Sequence, residues 1–573
     1  MGVLCFKKAI ANYLLPYTSC KEPQLLSLLR VPKRQKEGQF VLSIPKLLST
    51  HGPDPKIQQK PNVWCQEIAA KIQPTDNIER VSAVGPNLHF HLQQTPFTKS
   101  ILQQVYEEQD RYGWAHIRER FGEKQPTVTI DYSSPNIAKP FHAGHLRSTI
   151  IGNFIKRIHQ IMGYQVIGIN YFGDWGKQYG LLAVGFEKYG DEQLLKVDPI
   201  HHLYQVYVKI NQDAELDPSL HQKANNYFKS MEQGDKDALA QWQRFRDLSI
   251  SSYETIYHRL NIAFEVYSGE SQVSDYIPKV YNVLKSKKLL MEMEDGALAV
   301  DLTSFGMDPV LIQRADGTSL YMTRDLASVL MRKDKYAADK SIYVVGTEQQ
   351  GYFAQLFACA SLMTDQPIDQ FMHANFGRIN GMSTRQGTAD NLTTMDDDHD
   401  DDKGMADGSK ENSDMGFIAD QLGISAIFIQ DMKSKRTKNY SFAWDRMTDA
   451  RGDTGVLLQY AHARACGIER KADVTMTKDC DYSLLKEQEA FELVQTISYW
   501  PEVVQNSFNT LEPCTIVNYL FKLSHATSLA SHTLRVKDMD PALAEARMLM
   551  FWAARTTLRN GLTLLGIRPL DRM

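Results

Sequence analysis

Two histidines three residues apart follow a short strand pattern and begin a long helical one. His142 and His145 flank Gly144, and Lys139 lies just upstream. The first turn of a helix carries unpaired N–H groups and the positive end of its dipole, so it favours phosphate. Two imidazoles there can donate hydrogen bonds to a phosphate, Gly144 allows a close approach, and Lys139 adds positive charge. A metal pair or simple helix capping would give the same spacing, although neither H-E-x-x-H nor a nearby Cys completes a zinc set.

The elements around these histidines predict a parallel sheet. Thr127–Ile130 is a β-branched run typical of a strand, and a helical pattern extends from His145 to Met162 before Gly163 ends it. Tyr164–Asn170 then predicts a buried strand. Strand, helix and strand within about forty residues indicate a βαβ unit and hence an α/β, Rossmann-like catalytic domain.

Other segments predict further elements on either side of this unit. Residues 39–44 and 88–92 alternate like strands, and 63–72 between them has helical spacing. Residues 180–300 are mostly helical in pattern. A hairpin is predicted from 310–314 and 319–322 with its turn at Asp316-Gly317, and 341–345 predicts another core strand. Helices are predicted at 454–470, 484–507, 514–534 and 541–565.

Length and composition limit the class of protein. A chain of 573 residues should form three or four domains, and 43% hydrophobic with 23% charged residues is ordinary for a soluble globular protein. No run is long enough to span a membrane. The net charge of −4 makes any nucleic-acid surface local. Seven scattered cysteines without C-x-x-C argue against structural zinc or disulfides, so we predict no tightly bound metal.

Two segments are ambiguous. Residues 1–20 contain two lysines, no acidic residue and several apolar ones. They could be a weak mitochondrial targeting segment, but we favour the first helix of an N-terminal domain. Residues 388–415 are rich in aspartate and nearly free of apolar side chains, which predicts a disordered, solvated loop.

Several longer motifs resemble class I arginyl-tRNA synthetases, most closely the fungal and mitochondrial branch. The stretch Asp131–Asn153 is similar to the HIGH-motif segment of that family. Further matches follow in order and cover nearly the whole chain apart from 388–415: Asn170–Gln178, Tyr267–Ser271, Tyr321–Asp325, Gly452–Gly455, Gln459–Arg464 and Arg572-Met573. Several long motifs in order are more specific than the histidine pair alone.

The resemblance implies an arginine pocket. In the family, the α-amino and carboxylate groups meet a Ser-Pro-Asn loop, here Ser134 and Asn136, and the guanidinium meets Tyr321, Asp325 and Gln349. A guanidinium has only N–H donors, so a carboxylate and neutral oxygens suit it. Residues 321 and 325 project together if a helix begins there. Without the resemblance, Asp325 would be an ordinary acid near a helix N-terminus.

The resemblance also assigns ATP and tRNA residues. His142 and His145, with Lys139 and Arg385, are the implied catalytic residues, and His142, Gly144, His145, Met382 and Ser383 the implied ATP contacts. Gly381 stands where the class expects the first lysine of its second phosphate loop. Tyr460, Arg464 and Met573 are the implied tRNA contacts, by stacking on anticodon bases. Tyr460 could instead belong to the core.

These implications predict three domains and one activity. The domains are an N-terminal tRNA-binding α+β domain (1–95), a class I catalytic domain with a helical insertion (96–415) and a helical anticodon-binding domain (416–573). The activity is ATP-dependent, Mg²⁺-assisted formation of arginyl-adenylate and transfer of arginine to the terminal adenosine of tRNA(Arg). We expect a monomer that binds no membrane, in the cytoplasm, the mitochondrial matrix or both. The alternatives are a regulatory tRNA-binding protein without catalysis and a small nucleotidyltransferase.

Overall fold

The computed structural model describes residues 2–32, 37–117, 121, 124–380, 409–441 and 452–573. Its strands are β1 (Phe40–Ser43), β2 (Ile78–Val84), β3 (Asn87–Leu92), β4 (Thr127–Asp131), β5 (Gln165–Phe172), β6 (Val266–Gly269), β7 (Leu290–Glu292), β8 (Leu298–Val300), β9 (Val310–Gln313), β10 (Lys340–Tyr343), β11 (Phe371–His373), β12 (Ile379–Asn380) and β13 (Tyr440–Ser441). Its first helices are α1 (Gly2–Leu14), α2 (Glu22–Leu28), α3 (Ile44–His51), α4 (Pro61–Lys71), α5 (Gln94–Glu108), α6 (Ala143–Ile161), α7 (Lys177–Tyr189), α8 (Glu192–Val197), α9 (Pro199–Leu216) and α10 (Ser219–Glu232). The later helices are α11 (Lys236–Arg259), α12 (Ile277–Ser286), α13 (Tyr321–Tyr336), α14 (Gln350–Thr364), α15 (Ser409–Met432), α16 (Gly455–Ala472), α17 (Gln488–Ser498), α18 (Trp500–Thr510), α19 (Pro513–Thr533) and α20 (Pro541–Leu564).

The central sheet has five strands in the order β11-β10-β4-β5-β6, and every neighbouring pair is parallel. Helix α6 carries the chain from β4 to β5, which confirms the predicted βαβ unit. The predicted core strand near residue 341 is also confirmed, as β10. Since β5 lies on one side of β4 and β10 on the other, the connections diverge there and leave a crevice at the carboxyl ends of the strands.

The N-terminal region is a small α+β unit, as predicted. Strands β1, β3 and β2 form an antiparallel sheet, and α4 fills the helical segment predicted between them. The first residues form α1, whose Phe6 and Ile10 are buried. Phe6 packs edge-on against Phe97 of α5, with ring centroids 5.4 Å apart. The expectation of a first helix is therefore confirmed.

The hairpin prediction is only partly confirmed. Strand β9 and the turn form, but β9 pairs with β8, and Ser319 makes a single bridge to Gln313. The predicted second strand is wrong from Tyr321 onward, where α13 begins. Met322 and Leu326 are buried four residues apart against the helices of the second core, and this helical spacing outweighs the short strand pattern. Helices α7–α11 fill the predicted helical connection between β5 and β6.

The C-terminal region is helical, with two corrections. The predicted helix at 484–507 is two helices, α17 and α18, which meet at Tyr499. Pro501 lies in the first turn of α18, where its missing N–H costs nothing. Helix α15 spans the predicted boundary at 415/416, so residues 409–415 are helical rather than disordered; residues 388–408 lie outside the described chain. Farther along this helix, apolar residues such as Ile424 and Phe428 are buried in the main core. None of the described helices is long and apolar enough to cross a membrane.

Helices α15 and α16 cross at a backbone contact that leaves no room for a side chain. A Cβ on Gly455 would lie 2.1 Å from the carbonyl oxygen of Ser425. We expect Gly455→Ala to lower the unfolding free energy of this region by about 1 to 3 kcal/mol, because backbone must move. Gly467→Ala is the matched control on the same helix, since its nearest neighbour would be 3.8 Å away. Thermal and urea unfolding should show a loss for the first variant and no loss for the second. Equal effects would contradict the crossing.

Candidate active site

A cavity of about 820 Å³ opens at the carboxyl ends of the central strands. It is the crevice that the divergence of connections around β4 creates, and such crevices hold the ligands of open α/β sheets. Its lining includes seven of the residues selected from the sequence: Ser134, Asn136, His142, Gly144, His145, Asp325 and Gln349. Residues that are more than two hundred positions apart in the sequence, such as Ser134 and Gln349, are thus brought to one site.

The loop after β4 is held in an unusual backbone conformation. Ser133 and Ser134 have φ values of 73° and 50°. The Ser134 N–H donates to Asn170 Oδ1 at 3.0 Å, and the Ser133 N–H donates to Ser148 Oγ at 3.0 Å. A Cβ on Gly173 would lie 2.0 Å from Asn136 Oδ1, so only glycine lets Asn136 sit beside β5. Hydrogen bonds from β5 and α6 therefore fix the loop that is predicted to meet the substrate.

The two histidines form a stacked pair at the N-terminus of α6. His142 caps the helix through Nδ1, which accepts from the N–H groups of Gly144 at 3.1 Å and His145 at 3.4 Å. The ring centroids of His142 and His145 are 3.7 Å apart. Burial, and then the charge of Lys139, lowers the pKa of His142. Burial first, then His142 and Lys139, lowers the pKa of His145 well below its usual range.

This geometry defines what the pair can do. A neutral His142 whose Nδ1 accepts hydrogen bonds must carry its proton on Nε2. That proton is free to be donated to an oxygen at the helix N-terminus, where the unpaired N–H groups of α6 also favour an anion. Helix capping and phosphate binding are therefore compatible uses of the same residue, and the cap sets the tautomer. Within the described residues, His142 and His145 do not belong to a cluster of three metal-ligating side chains.

Two further residues of the cavity lining, Glu270 and Asp325, are acidic. Glu270 follows β6 directly, and Asp325 lies in the first turns of α13. Burial raises the pKa of Glu270 to about 7. It raises the pKa of Asp325 to about 6, although the Tyr352 hydroxyl donates a hydrogen bond to Oδ2. Arg324 Nη1 lies 3.9 Å from Glu270, beyond hydrogen-bonding distance. Two carboxyl groups thus face the cavity with only partial compensation, which favours a cationic ligand.

Both oxygens of a third carboxylate, Asp131, already accept hydrogen bonds. Its Oδ2 accepts from Arg332 Nη2 at 2.6 Å, and its Oδ1 accepts from the Ser134 hydroxyl at 2.8 Å. The Arg332 guanidinium lies over the rings of Tyr171 and Tyr343, 5.2 and 5.4 Å from their centroids. This buried pair ties α13 to β4, so it fixes where Asp325 stands relative to the loop.

Arg147, in the N-terminal part of α6, connects this helix to the segment that follows α15. Its Nη2 donates to the carbonyl oxygens of Arg436 at 2.8 Å and Lys438 at 2.9 Å. Its guanidinium lies 4.8 Å from the Tyr440 ring centroid and its Nε 3.8 Å from Asp431 Oδ2. Tyr440 begins β13, which pairs with β12. Arg147 therefore anchors the strand pair from which the second predicted phosphate loop departs.

Several predicted residues are not brought to the cavity. Lys139 does not line it: its ammonium lies 5.6 Å from the Tyr207 ring centroid, and burial lowers its pKa. Tyr321, the first residue of α13, is 75% exposed and also outside the lining. Met382, Ser383 and Arg385, together with the rest of the second phosphate loop, lie outside the described residues.

The three predicted tRNA contacts share a separate cleft of about 730 Å³ in the C-terminal helical region. Tyr460 and Met573 are each about half exposed, at 50% and 49%, which argues against Tyr460 as a core residue. The cleft has one acidic lining residue, Asp538, and six basic ones: Arg464, Arg470, Lys471, Arg535, Lys537 and Arg572. An exposed aromatic side chain and an exposed apolar one in a basic cleft are suited to binding a single-stranded nucleic acid.

Sequence reasoning missed four residues of the catalytic cavity. Glu270 lies in a motif that carried the family resemblance, yet the motif alone gave it no role. The sequence alone assigned no role to Tyr352, and Arg147 and Arg332 looked like ordinary helix residues. A buried arginine is rare unless it is paired, but burial is visible only in the fold.

Comparison with known proteins agrees with this geometry. Residues 114–444 match the model of the class I tRNA synthetase (R) catalytic domain, and residues 458–573 match the DALR anticodon binding domain. The chain is 42% identical to the probable cytoplasmic arginine–tRNA ligase of Dictyostelium discoideum, covering 99% of this chain and 100% of that protein. It is 43% identical to the cytoplasmic arginine–tRNA ligase of Saccharomyces cerevisiae, covering 94% and 90%. It is 38% identical to the probable mitochondrial arginine–tRNA ligase of Homo sapiens, covering 99% of each.

Solved structures show the same fold. The arginyl-tRNA synthetase of Thermus thermophilus superposes with a TM-score of 0.77 at 20% identity, covering 100% of each chain. That of Plasmodium falciparum superposes with a TM-score of 0.76 at 21% identity, covering 99% of each. The parallel sheet, the helical C-terminal region and their arrangement are therefore common to these chains.

The Arg147 anchor gives a prediction about stability. Asp431 is buried beside Arg147, so Asp431→Asn should leave the buried guanidinium without its counter-charge and cost about 3 kcal/mol. Asp365→Asn is the matched control, because Asp365 forms an exposed ion pair with Lys287 and should change little. Thermal unfolding at neutral pH compares the two. Equal midpoints for both variants would show that the buried pair does not hold the β12–β13 segment.

Proposed function

The chain belongs to the arginyl-tRNA synthetase family, and we propose that the cavity above the central sheet is where it activates arginine with ATP and transfers it to tRNA. The observation that carries this proposal is that the stacked histidines and the two partly compensated carboxyl groups line one cavity. The histidines at the helix N-terminus suit a phosphate, and the carboxyl groups suit a guanidinium. The reaction class follows from the family, and the residue roles below are our proposals.

Arginine would lie with its guanidinium at the two carboxyl groups. Asp325 and Glu270 are carboxyl groups whose raised pKa reflects the cost of holding negative charge there. A guanidinium offers five N–H donors and removes that cost when it binds. Gln349 lines the same cavity and can accept a further N–H. The Tyr352 hydroxyl keeps one Asp325 oxygen oriented and leaves the other for the ligand.

The other end of arginine would meet the loop after β4. Ser134 and Asn136 line the same cavity, and the Ser134 N–H donates to Asn170 Oδ1 of β5, which holds the loop in place. This loop can orient the α-amino and carboxylate groups so that a carboxylate oxygen faces the α-phosphorus of ATP. Orientation of two bound reactants is a large part of what such a site contributes to rate. Tyr321 would join the guanidinium contacts only if its side chain turned inward.

ATP, as its magnesium complex, would place its phosphates at the N-terminus of α6. Nε2–H groups of His142 and His145 and the free N–H groups of the first turn would donate to the phosphoryl oxygens. Lys139, two residues before Phe141, remains a candidate for long-range positive charge, and Arg385 with Met382 and Ser383 for the opposite loop. The histidines act as hydrogen-bond donors, because the lowered pKa values keep both rings neutral in the free protein.

Two balanced steps follow. An arginine carboxylate oxygen attacks the α-phosphorus of ATP, the bond to the β-phosphate oxygen breaks, and pyrophosphate leaves with its electron pair. The 2′-hydroxyl of the terminal adenosine of tRNA(Arg) then attacks the arginyl carbonyl, loses its proton, and AMP leaves. No covalent bond to the protein forms, so the residues align groups and stabilise charge that grows on oxygen.

The C-terminal cleft would hold the anticodon end of the tRNA. Tyr460 and Met573 can stack on unpaired bases, while Arg464 and the other basic side chains face phosphates. Residues 1–95 would contact tRNA elsewhere as a separate domain, and residues 96–415 and 416–573 would be the catalytic and anticodon-binding domains. The relatives include both cytoplasmic and mitochondrial proteins, and we propose that this chain works as a monomer in one or both compartments.

A charging assay tests the activity. The purified full chain is incubated with ATP, magnesium, tRNA and each amino acid separately. Arginine alone should be transferred to tRNA. Binding of tRNA without transfer of any amino acid would instead support a regulatory protein. Nucleotidyl transfer to another acceptor would instead support a small nucleotidyltransferase.

The proposed role of Asp325 is tested directly by measuring the KM for arginine. Asp325→Asn should raise the KM for arginine by roughly 30-fold or more, because losing a charged partner of a recessed cation costs about 2 kcal/mol or more. The KM for ATP should change little. Asp334→Asn on the same helix is the control, since Asp334 is exposed. An arginine KM that stays at the wild-type value would remove Asp325 from the pocket.

Substitution of His145 should affect the rate of adenylate formation and not the affinity for arginine. His145→Ala should slow adenylate formation by roughly 10² to 10³-fold, the usual loss of one donor to a developing charge, with arginine affinity nearly unchanged. The control His221→Ala alters an exposed histidine of α10. Pyrophosphate exchange in the presence of tRNA measures the rate, and calorimetry measures arginine binding. A parallel loss in both quantities would contradict a phosphate role.

A further inference from the structure

Three side chains of different chemistry converge where the C-terminal tail meets α16. His462 and Cys466 lie four residues apart on α16, so they project from one face of the helix. Asp571 comes from the tail, more than a hundred residues later. A ring nitrogen, the thiol sulfur and a carboxylate oxygen all lie within 4.8 Å of one another. Sequence spacing could not show this cluster, since it has no C-x-x-C and its third member is remote.

We propose that His462, Cys466 and Asp571 bind a zinc ion. Cys466 Sγ lies 4.0 Å from His462 Nε2 and 3.6 Å from Asp571 Oδ1. Zn–S and Zn–N bonds of about 2.3 and 2.0 Å place tetrahedral ligands about 3.5 Å apart, so small side-chain shifts complete the geometry. Nitrogen, sulfur and one oxygen form a donor set that suits zinc among the biological cations.

The histidine is already oriented for a metal. Its Nδ1 lies 2.9 Å from the Leu570 carbonyl oxygen and must carry a hydrogen to bond there. The lone pair of the neutral ring is then on Nε2, which is available to a metal ion; Nδ1 and Nε2 lie 3.8 and 4.0 Å from Cys466 Sγ. A backbone carbonyl that receives the second ring N–H is the usual support of a zinc-binding histidine.

The tail that supplies Asp571 is also fixed in place. Gln459 Oε1 accepts from the Leu570 N–H at 2.9 Å, and Gln459 Nε2 donates to the Arg568 carbonyl at 2.8 Å. His462 and Cys466 are buried, whereas Asp571 is exposed. The Cys466–Asp571 distance needs little change, the Cys466–His462 distance must shorten by about 0.5 Å, and the exposed side of the cluster can admit water as a fourth ligand.

The surrounding charges are compatible with this ion. A thiolate and a carboxylate neutralise Zn²⁺, so the filled site has no net charge. Arg555 is nearby, but its Nε lies 3.2 Å from a Glu469 carboxylate oxygen. Arg470 donates to the backbone carbonyl of Asp571 rather than to its carboxylate. Arg559 is the remaining cation near His462. Burial raises the pKa of the Cys466 thiol and the charge of Arg555 partly offsets this, so a zinc ion would have to displace the thiol proton.

Zinc would pin the end of the chain against α16. Asp571 directly precedes Arg572 and Met573, and α16 carries Tyr460 and Arg464, all of which line the basic cleft. The ion would therefore stiffen the wall of that cleft. The metal site itself does not depend on what the cleft binds.

The test is metal binding by the full chain after treatment with EDTA. Zn²⁺ titration should show one site per chain with a Kd below about 1 µM, and Co²⁺ should give the visible absorption of a tetrahedral thiolate complex. Cys466→Ser and Asp571→Asn should each weaken zinc binding by at least about 100-fold. Cys480→Ser is the matched control, a buried cysteine of the same region outside the cluster.

Thermal unfolding separates loss of a ligand from loss of the fold. Asp571 is at the surface, so Asp571→Asn without metal should unfold at the wild-type temperature. Zinc should raise the Tm of the wild type and of Cys480→Ser but not of Asp571→Asn, because binding stabilises only the folded form. The proposal is overturned if the wild type binds no zinc at this affinity. It is equally overturned if either ligand variant binds zinc as tightly as the wild type.

Discussion

Two carboxyl groups, Glu270 and Asp325, face the catalytic cavity without a full counter-charge, and the architecture around them is arranged to keep them there. Burying a carboxylate is costly unless a cation or several hydrogen bonds compensate it. Asp325 has one hydrogen bond from Tyr352, and Glu270 has an arginine at 3.9 Å. The free protein therefore carries an electrostatic cost that a guanidinium ligand removes on binding. This cost makes the cavity selective for a cationic side chain.

The neighbouring groups of the lining differ from these two carboxyl groups in charge. Asp131, another carboxylate of the cavity lining, is neutralised by Arg332, so it fixes the position of its neighbours and adds little net charge. Burial lowers the pKa of both stacked histidines, which favours neutral rings that can donate hydrogen bonds to an anion. Arg147 joins the N-terminal part of α6 to the segment just before β13, through the backbone carbonyls of Arg436 and Lys438. The lining of one cavity thus includes carboxyl groups that suit a cation and a helix N-terminus that suits an anion.

Strong local patterns made much of this architecture predictable. The β-branched run at residue 127, the helix ended by Gly163 and the buried strand after it predicted β4, α6 and β5, because both periodicities are local. The pattern at 319–322 misled, since the burial of Met322 and Leu326 depends on distant partners. Pro501 could have divided the helix predicted at 484–507. Asp325 and His145 were found through motifs, whereas Glu270, Arg147 and the cluster around Cys466 depend on contacts between segments that no spacing rule connects.

Calorimetric titration with arginine in buffers of different ionisation enthalpy tests the central claim most directly, because it counts protons released on binding. Glu270, with a pKa of about 7, and Asp325, with a pKa of about 6, are partly protonated in the free protein. A guanidinium lowers both pKa values, so binding releases protons and weakens as pH falls. The account predicts release of about one proton per arginine near pH 6.5 and far less near pH 8. Equal, near-zero release at both pH values would contradict it.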